Sequence, residues 1–282
     1  MRIAFQGATG EYSEGAARRA WPGAETFPCD QFEDVFDAVR SGRVSHGILP
    51  IENSVGGSIH RNFDLLLEHD LPIVAETELQ VVHNLLALPG TTLPQIRRVF
   101  SHPQALAQCE KYIANLPGVE VVATYDTAGS AQLIRDGGLI DTAAIASSRA
   151  AEIFGLEVLQ AAVQDYRDNL TRFIVIAREP HPLGVPDKTT LAFALPTGPG
   201  ALFKALSVFA LRDIDLTKLE SRPARGRPWE YFFYADIVSA RDDVRCGRAI
   251  VHLAEFARWV KTLGSYPRWD VQAEQRAQIA AS

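Results

Sequence analysis

Short apolar runs alternate with helix-forming stretches along most of the first 180 residues, and this alternation constrains the fold more than any other feature of the chain. Turn residues such as Gly, Ser and Asp separate the apolar runs from the alanine-rich or amphipathic stretches that follow them. The predicted strands are Arg2–Gln6, His46–Ile51, Arg98–Phe100, Val119–Tyr125, Ala143–Ala146, Leu156–Ala162 and Ile174–Ile176. Strands that alternate with helices in this way favour a mainly parallel α/β sheet with right-handed crossovers.

Polar residues mark the starts of the intervening helices. Ser13 is expected to cap the first helix, and Ser101 to cap a helix over Ala105–Leu116, where Pro103 suits the first turn. One stretch, Pro72–Leu88, is mostly apolar and extended but too long for one strand of a compact domain. We expect it to cross between two lobes, with His83 as a structural histidine.

Polar side chains follow three predicted strands, at Glu52–Ser58, Ser101–Gln104 and Thr124–Thr127. A fourth polar stretch, Asp168–Phe173, lies directly before the strand Ile174–Ile176. Ligands of parallel α/β folds bind beyond the carboxyl ends of the strands, so we expect the four stretches to face one cleft. The alternative is that each is an ordinary capped turn, which would not require them to converge.

The pattern changes after Glu179–Pro186, a stretch rich in Pro and Gly that is typical of a linker. The elements predicted beyond it are the strand Thr189–Leu195, the helix Ala201–Arg212, the strands Asp215–Glu220 and Trp229–Val238, the helix Arg245–Leu263 and the short strand Ser265–Trp269. The order βαββαβ is that of a ferredoxin-like fold. We therefore predict a first domain over residues 1–178, a linker over 179–188, a second domain over 189–269 and a tail over 270–282.

Composition excludes several classes of protein. The net charge of −6 gives no electrostatic reason to expect nucleic acid or an anionic membrane as the partner. Cys29, Cys109 and Cys246 lie far apart with no CxxC pair, which argues against disulfides and against a zinc site. Neither a signal peptide nor an apolar run long enough to span a membrane is evident, so a cytoplasmic location is expected.

Several ordered motifs resemble those of monofunctional prephenate dehydratase with a carboxy-terminal ACT regulatory domain. They are FQGATGEYS (Phe5–Ser13), PIENSVGGS (Pro50–Ser58), SHPQALAQC (Ser101–Cys109), AAIAS (Ala143–Ser147), DNLTRF (Asp168–Phe173), GPGALFKAL (Gly198–Leu206), LTKLESRP (Leu216–Pro223), PWEYFFY (Pro228–Tyr234) and GSYPR (Gly264–Arg268). One departure is Glu11, where such proteins often carry a small or hydroxyl residue.

The resemblance implies a catalytic module of two α/β lobes, similar to type II periplasmic-binding folds, followed by the ACT domain. It implies conversion of prephenate to phenylpyruvate, carbon dioxide and water, with no metal or organic cofactor. The essential threonine of the family falls on Thr171. The ACT motifs fall on Gly200, Ala201 and Leu202 and on Glu220, Ser221, Arg222 and Pro223, which would bind the effector L-phenylalanine where two ACT domains pair in a homodimer or homotetramer.

The chemistry of this reaction suggests roles for the residues of the polar stretches. Loss of carbon dioxide makes the substrate ring aromatic as hydroxide departs, so the protein must position groups and assist the departing oxygen. An alcohol is not acidic at neutral pH. Thr171 is therefore expected to donate a hydrogen bond, with Glu52 or water as the proton reservoir.

The other residues assigned to the substrate are Asn53, Ser54, Ser101, Gln104, Arg172 and Phe173. Asn53 and Ser54 would be neutral donors, and Arg172 would bind a substrate carboxylate or else form a salt bridge with Asp168 or Asp165. Phe173 would pack on the ring or in the core. Two other functions stay open from the sequence: an arogenate dehydratase, and a non-catalytic amino-acid sensor.

Overall fold

The computed structural model describes residues 1–223 and 231–269, and the chain divides into two compact units. The first unit contains Met1–Leu65 and Thr77–Ile174. The second contains Leu66–Glu76 and the described residues from Val175 onward. The domain limits predicted at residues 178, 189 and 269 stay a prediction. The predicted tail, 270–282, and the start of the predicted strand at Trp229 lie outside the described residues.

Strands and helices alternate along the first 177 residues. The strands are β1 (Arg2–Gln6), β2 (Glu25–Cys29), β3 (His46–Asn53), β4 (Gly57–Ser58), β5 (Ile73–Gln80), β6 (Asn84–Ala87), β7 (Arg98–Ser101), β8 (Glu120–Ala123), β9 (Thr142–Ala146), β10 (Glu157–Gln160) and β11 (Leu170–Ala177). The helices are α1 (Tyr12–Ala20), α2 (Phe32–Arg40), α3 (His60–His69), α4 (Pro103–Gln108), α5 (Glu110–Ala114), α6 (Thr127–Gly137) and α7 (Ser148–Phe154), with a 3-10 turn at Leu93–Gln95.

The first unit has two lobes, each built on its own sheet, as expected. In one sheet the strand order is β11-β3-β1-β2, and β1 pairs in parallel with both β2 and β3. In the other the order is β10-β6-β9-β7-β8. There β7 pairs in parallel with β8 and β9, whereas β6 is antiparallel to both of its neighbours. The stretch Pro72–Leu88 forms β5, beside β11, and β6 in the other sheet, so it crosses between the lobes as predicted.

Two predicted caps are wrong. Helix α1 begins at Tyr12, and its cap is Glu11 instead of Ser13. Helix α4 begins at Pro103 and is capped by His102, whose Nδ1 accepts a hydrogen bond from the backbone N–H of Gln104. The helix predicted over Ala105–Leu116 is also divided into α4 and α5 at Cys109. In both cases the helix starts earlier than the apolar pattern indicated. The side chain that accepts hydrogen bonds from the N–H groups of the first turn therefore belongs to a different residue.

The second unit contains β12 (Lys188–Ala194), α8 (Ala201–Ala210), β13 (Leu216–Pro223), β14 (Tyr231–Ile237), α9 (Val244–Ala254) and β15 (Trp259–Tyr266). Its strand order is β13-β14-β12-β15, with antiparallel neighbours throughout. This confirms the predicted ferredoxin-like βαββαβ fold. Apolar residues of β12, α8, β14 and α9 form its core: Leu191, Phe193, Ala205, Val208, Phe209, Ala235, Ile237, Ala249 and Leu253.

The predicted helix Arg245–Leu263 is wrong over its second half. Helix α9 ends at Ala254, and the residues from Trp259 to Tyr266 pair with β12 as β15. Strand β12 is buried at every position and needs partners on both edges, so tertiary pairing determines the conformation of this ambiguous apolar stretch.

No helix within 1–223 and 231–269 is long and apolar enough to cross a membrane.

The second unit also contains a buried ion pair. The ammonium of Lys188 lies 2.8 Å from Oε2 of Glu76 and 3.9 Å from Oδ2 of Asp236. Thr190 donates to Oδ1 of Asp236 at 2.6 Å. The three charged side chains are at most 6% exposed, so the cation stabilises two carboxylates that would be costly to bury alone.

Candidate functional site

A cavity of about 440 Å³ lies in the first unit, and both of its lobes contribute to the wall. It is lined by residues at or after the carboxyl ends of β1, β3, β7 and β8, and by the start of β11. They include Glu11, Tyr12, Asn53, His83, His102, Gln104, Gln108, Tyr125, Asp126, Thr127, Thr171 and Phe173. This confirms the prediction that the four polar stretches converge on one cleft.

Thr171 lies at the start of β11 with its side chain toward the cavity, and the residue is 7% exposed. Its Oγ1 accepts a hydrogen bond of 2.9 Å from Nδ2 of Asn53. Because that bond uses a lone pair of the hydroxyl oxygen, the hydroxyl hydrogen can be donated to a ligand in the cavity. The geometry thus suits the predicted role of Thr171 as a hydrogen-bond donor.

Neutral amides hold Asn53 in place. Its Nδ2 also donates to Oδ1 of Asn169 at 2.6 Å, and its Oδ1 accepts from Nε2 of Gln108 at 3.1 Å. Nδ2 of Asn169 in turn donates to Oε1 of Gln108 at 2.8 Å. The three amides therefore form a closed, buried network in which each side chain orients the other two, and through Asn53 they orient Thr171.

His83 extends this network and is structural, as predicted. Its Nε2 lies 2.8 Å from Oε1 of Gln108, and its Nδ1 lies 2.8 Å from the hydroxyl of Tyr12. An amide oxygen can only accept, so Nε2 carries the hydrogen. In the neutral ring Nδ1 then accepts from Tyr12, whose hydroxyl also lies 2.9 Å from the carbonyl of Val82. Burial lowers the pKa of His83, which favours this neutral form.

Two carboxylates lie in the wall of the cavity where α6 begins. Oε1 of Glu11 accepts from the hydroxyl of Thr127 at 2.6 Å and from the backbone N–H of Ala128 at 2.7 Å. Asp126 caps α6 and accepts from the backbone N–H of Ala8 at 3.1 Å. Burial, and then the charge of Asp126, raise the pKa of Glu11. No Lys or Arg is among the residues that line the cavity, all of which belong to the described part of the chain.

Three residues assigned to the substrate lie elsewhere. Ser101 is fully buried and donates to the carbonyl of Ile145 at 2.6 Å. Ser54 donates to the carbonyl of Asp168 at 2.8 Å and accepts from the backbone N–H of Leu170 at 2.9 Å, so it fastens two chain segments together. Neither Ser101 nor Ser54 is among the residues that line the cavity.

Arg172 is the third. Neighbours on a strand point to opposite faces, so Arg172 points away from the face that carries Thr171 and Phe173. Its Nη1 lies 3.7 Å from Oε2 of Glu52. The structure therefore brings neither Arg172 nor Glu52 to the cavity.

The remaining predicted residues do line the cavity. Phe173 is 1% exposed, so it serves the core and the cavity wall at once. Gln104 lies against Gly56 of the β3–β4 hairpin, where a Cβ would collide with its Nε2. The glycine therefore permits close approach of the Gln104 side chain.

The cavity residues that the sequence did not assign to the site include Gln108, Tyr12, Asp126 and Glu11. Gln108 follows Gln104 by four positions on α4, the spacing that puts two side chains on one helix face. Gln108 could therefore have been found from the motif that contains both residues. Asp126 belongs to the predicted polar stretch Thr124–Thr127, whereas the positions of Tyr12 and Glu11 depend on contacts between the lobes, which leave no local signal.

The residues assigned to phenylalanine lie in the second unit. Gly200 has a φ of +75° and precedes α8, in which Ala201 and Leu202 are the first residues. Glu220, Ser221, Arg222 and Pro223 lie on the edge strand β13 and pair with Tyr234, Phe233, Phe232 and Tyr231 of β14. Nζ of Lys218 lies 3.6 Å from Oε2 of Glu220.

No group of three or more His, Cys, Asp or Glu side chains in 1–223 and 231–269 could hold a metal ion.

Comparisons with known proteins extend these observations. Residues 3–181 match the family described as prephenate dehydratase. The chain is 50% identical to arogenate dehydratase/prephenate dehydratase 1, chloroplastic, of Arabidopsis thaliana, over 95% of this chain and 72% of that protein.

Two solved structures are similar over nearly the whole chain. One is GqqA, described as a novel type of quorum quenching acylase: 39% identity, a TM-score of 0.86, and coverage of 96% of this chain and 100% of that one. The other is prephenate dehydratase from Arthrobacter aurescens in complex with L-Phe: 31% identity, a TM-score of 0.86, and coverage of 100% and 99%.

Proposed function

The chain belongs to the prephenate dehydratase family, and we propose that it converts prephenate to phenylpyruvate, carbon dioxide and water in phenylalanine biosynthesis. The single observation that carries this proposal is the position of Thr171 in the cavity wall, with its hydroxyl oxygen bonded to Asn53. The substrate supplies its own driving force, because loss of carbon dioxide makes the ring aromatic. The protein needs only to position the ring and assist the departing hydroxyl.

Thr171 would donate its hydrogen to that departing oxygen. The Asn53 amide prevents the threonine oxygen from turning away, which gives the preorganisation on which catalysis by hydrogen-bond donors depends. Glu52 lies beside Arg172 and outside the cavity wall, so water is the remaining reservoir for the proton among the two considered. Gln104 and Phe173 would contact the substrate from the wall.

The substrate carboxylates would be bound without cationic side chains. Three helices, α1, α2 and α6, present residues of their first turns to the cavity: Tyr12, Phe32 and Thr127. The first-turn N–H groups of α1 and α6 are already bonded to Glu11 and Asp126, so it is the partial positive charge of the three helix N-termini that favours a carboxylate of the ligand. This accounts for anion binding in a cavity that Arg172 does not reach.

The test is a direct assay of the purified chain with prephenate, following formation of phenylpyruvate. Steady turnover that saturates with prephenate is expected. Absence of phenylpyruvate at every prephenate concentration, in a chain that is folded by circular dichroism, would overturn the proposal. Absence of turnover with arogenate as well would favour the non-catalytic sensor considered from the sequence, which would bind a ligand without turning it over.

A second candidate substrate is arogenate, which carries an amino group where prephenate has a keto group. The name of the Arabidopsis relative includes both activities, and half of its aligned residues are identical to this chain. The same loss of carbon dioxide and hydroxide would then yield L-phenylalanine. Repeating the assay with arogenate and measuring phenylalanine distinguishes the two. An acylase activity, as named for GqqA, would need a nucleophile beside a base, whereas Thr171 is bonded to an amide.

For the second unit we propose an ACT domain that binds L-phenylalanine and changes activity in the first unit. The support is the L-Phe complex of the Arthrobacter protein and the ferredoxin-like fold that carries Gly200, Ala201, Leu202 and the segment Glu220–Pro223. Equilibrium dialysis at millimolar phenylalanine tests binding, and by linkage prephenate should alter the measured affinity. No binding would overturn this part of the proposal alone.

Assembly, location and domain limits complete the proposal. Pairing of ACT domains would give a homodimer or homotetramer, which sedimentation measures. The cytoplasmic location expected from the sequence remains a proposal, as do a catalytic domain over 1–178, a linker over 179–188 and an ACT domain over 189–269.

A further inference from the structure

Glu11 is a cavity residue that the proposed reaction does not use. It lies in the first loop and forms part of the wall, next to Asp126. Its Oε1 is held by Thr127 and Ala128, whereas Oε2 has only a 3.3 Å contact with the backbone N–H of Tyr12. A carboxylate oxygen accepts two hydrogen bonds, so Oε2 has capacity for a donor from a ligand.

No cationic side chain in the cavity wall offsets the charge of Glu11, although the N-terminus of α6 does so in part. Asp126 is a second carboxylate at the same place, and the residues that line the cavity include no Lys or Arg. The raised pKa of Glu11 has the same physical origin, because burial and a like charge both disfavour the ionised form. A ligand that carries a cation would therefore offset the negative charge of Glu11 and Asp126, and a ligand that carries only anionic and neutral groups would not.

The two candidate substrates differ in that respect. Prephenate carries two carboxylates and a neutral keto group, so it is a dianion. Arogenate carries the same two carboxylates and an ammonium, so its net charge is one unit less negative. The ammonium also offers three N–H donors, whereas a keto oxygen can only accept. Charge and hydrogen bonding therefore act in the same direction.

We infer that Glu11 is a specificity-determining residue that favours the amine-bearing substrate, arogenate, over prephenate. The inference rests on the proposed function, since it concerns which of two substrates the same cavity dehydrates. Removal of the charge of Glu11 should weaken the preference without touching Thr171 or its amide network.

The test compares kcat/KM for the two substrates in the full chain and in Glu11→Gln. Glutamine keeps an oxygen that can accept from Thr127 and Ala128, so the loop should retain its conformation. A change of one charge at a few ångströms in a partly buried site should raise the ratio of prephenate to arogenate kcat/KM about tenfold. The control is Glu157→Gln on β10, which also removes one negative charge from the first unit but lies outside the cavity wall. Its ratio should equal that of the unmodified chain.

A second variant and a pH series keep the test decisive if Glu11→Gln fails to fold. Glu11→Ala should change the ratio in the same direction as Glu11→Gln. In the unmodified chain the ratio of prephenate to arogenate turnover should fall as pH rises and Glu11 ionises, and this dependence should be weaker in Glu11→Gln. Asp126, Tyr12, His102, Tyr125 and Cys109 are the other titratable groups around this position, and they remain the same in both chains.

The outcomes separate this inference from the proposed function. Dehydration of at least one substrate, with a ratio that neither Glu11 variant changes by more than Glu157→Gln does, would overturn the inference alone. Dehydration of neither substrate by the unmodified chain would overturn both candidate functions, prephenate dehydration and arogenate dehydration, and the inference would fail with them.

Discussion

The two units each contain a buried polar network, and the networks differ in how they balance charge. In the second unit Lys188 lies between Glu76 and Asp236, so one cation faces two carboxylates inside the protein. Around the cavity of the first unit, neutral amides orient Thr171, and the carboxylates Glu11 and Asp126 have no cationic side chain in the cavity wall.

The difference teaches how to distinguish structural from functional polarity. A network that contains its own counter-charge is complete without a ligand, and its main effect is on stability. A network that combines unused hydrogen-bond capacity with unbalanced charge beside a cavity is completed by a ligand. The following predictions alter the counter-charge of the second unit and the hydrogen bonds and charge of the first, from the largest expected effect to the smallest.

The largest effect should come from removing the counter-charge of the second unit. Lys188→Met leaves Glu76 and Asp236 buried without the cation, and the free energy of unfolding should fall by roughly 3–5 kcal/mol. Urea denaturation of the full chain measures this loss. Lys188→Arg, which keeps the charge, should lose less, and adding Glu76→Gln to Lys188→Met should recover part of the loss. A loss below about 1 kcal/mol in Lys188→Met would show that the pair is not effectively buried.

The next effect concerns activity and not stability. Thr171→Ala removes the hydroxyl that donates to the departing oxygen, so kcat should fall about a hundredfold or more, equivalent to about 2.7 kcal/mol or above. The matched control is Thr171→Ser, which keeps the hydroxyl and should retain most of the turnover. Near-normal kcat in Thr171→Ala would contradict the role assigned to this residue.

An intermediate effect is expected from the amide network of the cavity, which serves both stability and activity. Gln108→Leu removes the amide that bonds to Asn53, Asn169 and His83, and buried groups left without a partner cost about 1–3 kcal/mol each. Partial relaxation should limit the loss of unfolding free energy to about 2 kcal/mol, and kcat should fall about tenfold because Asn53 no longer holds Thr171. Gln132→Leu, on the exposed face of α6, should change neither quantity. Reduced stability with unchanged kcat would separate the amide network from catalysis.

Much of the fold follows from local sequence patterns. The strands β1, β3 and β9 and the order βαββαβ were predicted because periodicity and turn residues act over a few positions. The prediction failed where two conformations were locally acceptable. Residues from Trp259 to Leu263 suit a helix or a strand, and only pairing with β12 selects the strand. The direction of β6 likewise depends on its neighbours in the sheet.

The candidate site was predictable in place but less so in detail. Convergence of the polar stretches follows from a general property of parallel sheets, and Thr171 lies in the cavity wall as expected. The faces of individual side chains were harder to assign, because one position along a strand moves a side chain to the opposite face, as for Arg172 beside Thr171. The pairing of Glu11 with Asp126 joins loops more than a hundred residues apart, so no sequence pattern could reveal it.

The smallest effect should come from neutralising the unbalanced charge of the first unit. The pKa of Glu11 is raised in the folded protein by burial and by Asp126, so the folded chain holds this proton more tightly than the unfolded chain. The contribution of Glu11 to stability is then fully present below its unfolded pKa and is lost as pH rises through the folded pKa. Glu11→Gln has no such dependence, so its unfolding free energy relative to the unmodified chain should increase with pH, by less than about 1 kcal/mol because the acceptor oxygen is kept. Urea denaturation from pH 4 to pH 8 measures the trend, and Glu157→Gln serves as the control. A relative stability that falls with pH would mean that a cation balances Glu11 after all, and the contrast between the two networks would no longer hold.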